Sequence, residues 1–112
     1  MPKKSKITFA VPDNLKNELQ GMVIKDGYGL RGKSKWISEA VETFLSLKDY
    51  LELISYSDEM YGFDQLETVV VEYPLKLKLD KAVVDIRREF PTIEGVKSRI
   101  MRTAILQRIL RS

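Results

Sequence analysis

The strongest constraint on this chain is that one short pattern occurs in it twice. Lys6-Ile7-Thr8-Phe9-Ala10-Val11 alternates polar and apolar residues, and Pro12-Asp13 then opens a helical stretch. After a glycine-rich turn, Lys33-Ser34-Lys35-Trp36-Ile37 opens a second helix. Further on, Leu75-Lys76-Leu77-Lys78-Leu79 alternates again before Asp80, and Gly95 precedes Lys97-Ser98-Arg99-Ile100-Met101. A single strand followed by two short helices cannot bury its own apolar face, but two such units can bury each other. The 112 residues, 44% of them hydrophobic, suit one domain or two half-domains sharing one core.

The period of the apolar residues places the elements. In the first strand, 6–11, Ile7, Phe9 and Val11 share one face, and Lys6, Thr8 and Ala10 the other. Pro12 ends the ladder because it has no N–H to donate, and Asp13 suits the positive end of a helix dipole. Leu15, Leu19, Met22 and Val23 recur at helical spacing, which predicts a helix over 13–26. Gly27, Gly29 and Gly32 mark a turn. Ser34 is a good N-cap for a helix over 34–54, with an apolar stripe from Trp36/Ile37 through Ala40/Val41 to Phe44/Leu45.

The second strand, within 68–79, has two readings. It can centre on Val69–Tyr73 before Pro74, which copies the Val11–Pro12 junction, or on Leu75–Leu79 before Asp80. The second is preferred, because Asp80 is a strong N-cap candidate and the 19 residues from Leu79 to Ser98 suit a single helix. Both share one parity, with Val69, Val71, Tyr73, Leu75, Leu77 and Leu79 on one face. The Val69–Tyr73 reading would present Thr68, Val70 and Glu72 on the other, a poor surface for a polyanion, and would leave the second unit mainly structural. Helices over 80–90, with Val83, Ile86 and Phe90 inward, and over 98–111, capped by Ser98, complete this unit. The expected organisation is a first unit at 1–48, an acidic aromatic connector at 49–67 and a second unit at 68–112.

Composition narrows the function. The chain has no cysteine and no histidine, which removes disulfides, thiolate metal sites, the usual general base and the commonest zinc ligand. No spacing sets two carboxylates in an apolar pocket, so the expectation is a non-enzyme that needs no cofactor. No apolar run approaches the roughly 20 residues that span a bilayer, and the basic start lacks a following apolar stretch. A cytoplasmic protein with no membrane partner is expected. Charge is segregated: residues 1–48 carry nine bases against five acids, 49–67 six acids and no base, and 68–112 ten bases against five acids. Two basic units around an acidic connector suit a polyanion facing both units.

The alternating strands, the two helix openings at Lys33–Ile37 and Lys97–Met101, and the Ala40-Val41 and Ala104-Ile105 pairs together resemble the ribbon-helix-helix DNA-binding proteins, the class of the Arc, MetJ and CopG repressors. Two units in one chain is similar to the tandem TraY type. The fold so implied is mainly α with a two-stranded antiparallel β-ribbon, the two units forming a pseudo-dimer. The resemblance implies sequence-specific binding of double-stranded DNA, with the ribbon in the major groove, transcriptional repression as the task and nucleoid association when bound.

On the residues of this chain, base contact would fall to Lys6, Thr8, Ala10, Lys76 and Lys78. Lysine can donate to guanine, and threonine can donate, accept or touch a thymine methyl. Phosphate contact would fall to Lys4, Lys33, Ser34, Lys35, Lys97, Ser98 and Arg99, which gather hydroxyl and cationic groups at helix starts or in the N-terminal arm. The two halves differ, so the expected operator is not a perfect palindrome. Self-association on DNA is a further expectation. Two other functions are weighed: an antitoxin-like or inhibitor module binding a partner protein through 49–67 (Tyr50, Tyr56, Asp58, Tyr61, Phe63, Asp64), and a relaxosome accessory protein.

Overall fold

The computed structural model describes residues 3–29, 31–54, 62 and 65–111. Alternation in the first segment is realised as strand β1 (Lys4–Val11), and helices α1 (Asp13–Lys25), α2 (Lys33–Leu45) and the short α3 (Tyr50–Ile54) follow. Strand β2 (Gln65–Glu72) then leads into α4 (Tyr73–Glu89) and α5 (Val96–Leu110). The described chain is thus mainly helical around one two-stranded sheet.

β1 and β2 pair antiparallel with Lys4 opposite Glu72, Thr8 opposite Thr68 and Val11 opposite Gln65. The expected parity holds on both strands: Ile7, Phe9, Val11, Val69 and Val71 are buried. Over them lie Leu15 and Leu19 of α1, Leu75 and Leu79 of α4, and Trp36, Ile37, Ile100, Met101 and Ile105 of α2 and α5. α2 packs on β2 and α5 on β1, so the helix that follows each strand and its first helix packs on the opposite strand.

The second strand is not where the leucine–lysine alternation suggested. It ends at Glu72, and Leu75–Leu79 form the second turn of α4. Three local preferences act together here. Val69-Val70-Val71 is a β-branched run that favours extended backbone, whereas leucine and lysine are good helix formers. Pro74 lies in the first turn of α4, where its missing N–H leaves no hydrogen bond unmade. Leu75 and Leu79 are also four apart, so they share a helical face, and Ala82 and Ile86 continue it inward. Asp80 is consequently no N-cap. It lies inside α4, and Lys76 donates to it at 2.8 Å, which holds the Asp80 carboxyl below its ordinary range.

Helix starts and ends differ in smaller ways. α2 is capped by Gly32 and α5 by Gly95, so Ser34 and Ser98 lie within first turns and make no side-chain cap. Gly95 has φ +60°, a conformation glycine takes without strain. A side chain at Gly32 would collide with the Tyr28 backbone. The helix expected over 34–54 is two, because α2 stops at Leu45 and the Ser46 hydroxyl donates to the Thr43 carbonyl. The start of α2 is tied to α5 by Arg108, whose guanidinium lies 4.4 Å from the Trp36 ring and donates to the Trp36 carbonyl and the Tyr28 hydroxyl.

Leu77 and Leu79 provide a direct check. A strand would bury them together, but on α4 Leu77 is 50% exposed and Leu79 fully buried. Leu79→Ala should cost about 2–5 kcal/mol of stability in chemical denaturation, while Leu77→Ala should stay within about 0.5 kcal/mol. Equal losses at the two positions would contradict the helix.

Candidate nucleic-acid interface

Every helix covering the ribbon lies over its inner face, which leaves an outer face of eight alternate positions. On β1 these are Lys4, Lys6, Thr8 and Ala10, and on β2 Leu66, Thr68, Val70 and Glu72. The register sets them in four cross-strand pairs: Lys4 with Glu72, Lys6 with Val70, Thr8 with Thr68, and Ala10 with Leu66. The two threonine hydroxyls lie 3.2 Å apart at the centre. Among the described residues, no carboxylate pairs with Lys6.

Of the expected base-contacting residues, the structure brings Lys6, Thr8 and Ala10 together on this face. Lys76 and Lys78 are not there. Both lie on α4, Lys76 paired with Asp80 and Lys78 with Glu42 of α2 at 2.9 Å. Leu66, Thr68, Val70 and Glu72 take their place. Thr68, Val70 and Glu72 are the face of the alternative Val69–Tyr73 reading, and the Val-Val-Val run before Tyr73-Pro74 is the signal that favours it; Leu66 is the addition.

Helices α2 and α5 each reach one edge of the ribbon. At the start of α2, the Ser34 hydroxyl accepts a hydrogen bond from the Val70 N–H at 3.0 Å. On the other strand, Arg102 of α5 donates to the Ala10 carbonyl at 3.0 Å. Arg102, in the second turn of α5, therefore lies beside one end of the ribbon, and Ser34 beside the other. Its hydroxyl proton remains available to donate. Lys4, the first residue of β1 rather than part of an arm, joins Ser34, Lys35, Ser38 and Arg31 around a groove of about 600 Å³ next to Val70 and Glu72. Glu39, Glu42 and Glu72 also line it, so its cations sit among carboxylates. Lys97, Ser98 and Arg99 occupy the first turn of α5, with Arg99 Nε donating to the Glu94 carbonyl at 3.0 Å.

Lys33 departs from its expected role. Its ammonium lies 2.7 Å from the carboxylate of Glu67, which points inward from β2 opposite Phe9 and is 2% exposed. A buried carboxylate needs a countercharge, and Lys33 supplies it. Arg102 is the second polar group set into the core; burial, and then the neighbouring Arg99, lower its pKa. Sequence reasoning missed Glu67 and Arg102, because polar residues at inward positions break the pattern by which such positions are read, and Arg31, an exposed residue between helices that no motif marks.

In the connector, Tyr50 falls on α3, half-buried and edge-on to Phe44 at 6.0 Å. Burial, and then Asp85, raise the Tyr50 pKa. Tyr56, Asp58, Tyr61, Phe63 and Asp64 lie outside the described residues. No described helix is long and apolar enough to cross a membrane. No protein-family model, curated protein or solved structure matches the chain.

Lys33→Ala should destabilise the fold by about 1–3 kcal/mol, less than for a fully buried pair because the Lys33 side chain is 36% exposed. Adding Glu67→Gln should recover part of that loss, as read by denaturation of the single and double variants. A double variant no more stable than Lys33→Ala alone would contradict the pairing.

Proposed function

We propose that this chain binds duplex DNA sequence-specifically by inserting its β-ribbon into the major groove, as a single-chain ribbon-helix-helix pseudo-dimer. The observation that carries the reading is a ribbon face over which no described element lies, with the cationic opening of α2 beside one end and Arg102 of α5 beside the other. A two-stranded ribbon fits a major groove about 12 Å wide, and its outward side chains meet base edges there. Cationic first turns beside it meet phosphates, which position the protein without specifying sequence.

Internal correspondence supports the pseudo-dimer. Thr8 and Thr68, central in the pairing, are sixty positions apart, and so are Leu15 and Leu75, and Leu19 and Leu79. Ser34 and Ser98, Ala40 and Ala104, and Val41 and Ile105 are each sixty-four apart, the longer α4, 17 residues against the 13 of α1, absorbing the difference. A local twofold axis between the threonines would relate Lys6 to Leu66 and Ala10 to Val70. With Lys33 committed to Glu67, phosphate contact falls to Lys4, Arg31, Ser34 and Lys35 at one end, and to Lys97, Ser98 and Arg99 at the other. The task assigned is transcriptional repression by occupying the groove at an operator, without a cofactor.

Selection of bound duplexes from a random library at near-physiological salt should recover a motif. Lys6→Ala should weaken binding to that motif by about 1–3 kcal/mol and relax preference at one position. Lys35→Ala should weaken binding to all sequences alike and reduce the slope of log affinity against log salt by about one. No enriched motif, or a Lys6→Ala variant with unchanged preference, would overturn the proposal.

A further inference from the structure

The two ends of the ribbon face differ in chemistry. At one end stand Lys6 and Val70, with Lys4 and Glu72 beyond them. At the other stand Ala10 and Leu66, with no polar side chain in that pair. Leu66 is 64% exposed and Val70 42%, on a strand whose alternate residues Val69 and Val71 are fully buried. Leu66 is also held in place: Lys16 of α1 donates to its carbonyl at 2.9 Å, and Arg102 of α5 donates to the carbonyl of its partner Ala10. This leucine is therefore set on rigid backbone at the point where the local twofold axis puts Lys6 in the other half.

Resting on the DNA-binding reading above, we infer that the two halves of the ribbon read different chemical groups: the Ala10–Leu66 end reads thymine C5-methyls by apolar contact, and the Lys6 end reads a guanine acceptor edge. In the major groove the only apolar group on an unmodified base-pair edge is the thymine methyl, and alanine and threonine methyls are known types of partner for it. A leucine there can donate to nothing and accept from nothing, so against guanine or cytosine it would leave base polar groups desolvated and unpaired. Against thymine it removes apolar surface from water on both sides. Thr8 and Thr68 at the centre carry both a hydroxyl and a methyl and suit either neighbour. The half-sites are thus unequal in kind as well as in sequence, with thymines gathered under one end.

The test uses the full chain and the duplex recovered by selection, remade with deoxyuridine in place of thymine in one half at a time. Uracil differs only by the missing methyl. Replacement in the thymine-rich half should weaken binding about fourfold per contacted methyl, the equivalent of one buried methylene, and replacement in the other half should cost less, Val70 being the one exposed apolar side chain there. 7-Deazaguanine, which lacks the N7 acceptor, should reverse the pattern, with a loss of about fivefold or more confined to the Lys6 half. Leu66→Ala, an exposed substitution that leaves the core intact, should abolish the uracil penalty.

A duplex that binds specifically yet ignores uracil in both halves overturns this inference while leaving the DNA-binding reading standing. So does a uracil penalty that persists undiminished in Leu66→Ala. Failure to select any duplex overturns both, and would mark the apolar end as a surface for a protein partner instead.

Discussion

Everything in this molecule depends on the antiparallel pairing of two strands sixty positions apart. A two-stranded ribbon is not stable alone in water, and it is held here because four helices pack on one of its faces. The helices are in turn too short to persist without that face. The packing is crossed: α2 lies on β2 and α5 on β1. Neither β1-α1-α2 nor β2-α4-α5 closes a core alone, so the two runs must fold together. Register is correspondingly strict, because a slip of one residue would turn Phe9, Val11, Val69 and Val71 outward.

The same constraint creates the surface to which a function is assigned. Once the helices have taken the inner face, the outer face of the ribbon has no element of the described chain over it. Its side chains stand in register on backbone that is fixed at both outer edges, by Ser34 on one strand and Arg102 on the other. The Ser34 bond also brings the opening of α2 close to the ribbon. Core packing, edge satisfaction and the presentation of Lys6, Thr8, Thr68 and Leu66 are thus parts of one arrangement, and the asymmetry between the halves is carried by outward residues that the core does not constrain.

Period-2 alternation made β1, its burial parity and α1 legible in the sequence to within a residue or two. Leu75–Leu79 misled because leucines at alternate positions fit a strand completely and a helix in two of three places. Only Leu77, left exposed on α4, separates the two. The decisive information lay in β-branching at Val69–Val71 and in the proline after it, rather than in the alternation. That error carried Lys76 and Lys78 onto the wrong element, set aside Thr68, Val70 and Glu72, and left Leu66 unnoticed. Glu67 and Arg102 were hidden for a different reason: whether a charged residue faces inward depends on a partner distant in sequence, Lys33 in one case and the Ala10 carbonyl in the other. Ser34 was expected at the right helix start but with the wrong partner, since a hydroxyl in a first turn can reach a neighbouring strand as readily as its own backbone.

The most direct test of the account is amide chemical-shift mapping during titration of the full chain with a selected duplex. Ribbon insertion requires the largest changes in residues 4–10 and 66–72, with a second set in the openings of α2 and α5 near Lys35 and Lys97. Changes concentrated in the acidic stretch 49–64 or on the outer side of α4, with the ribbon amides unmoved, would contradict it.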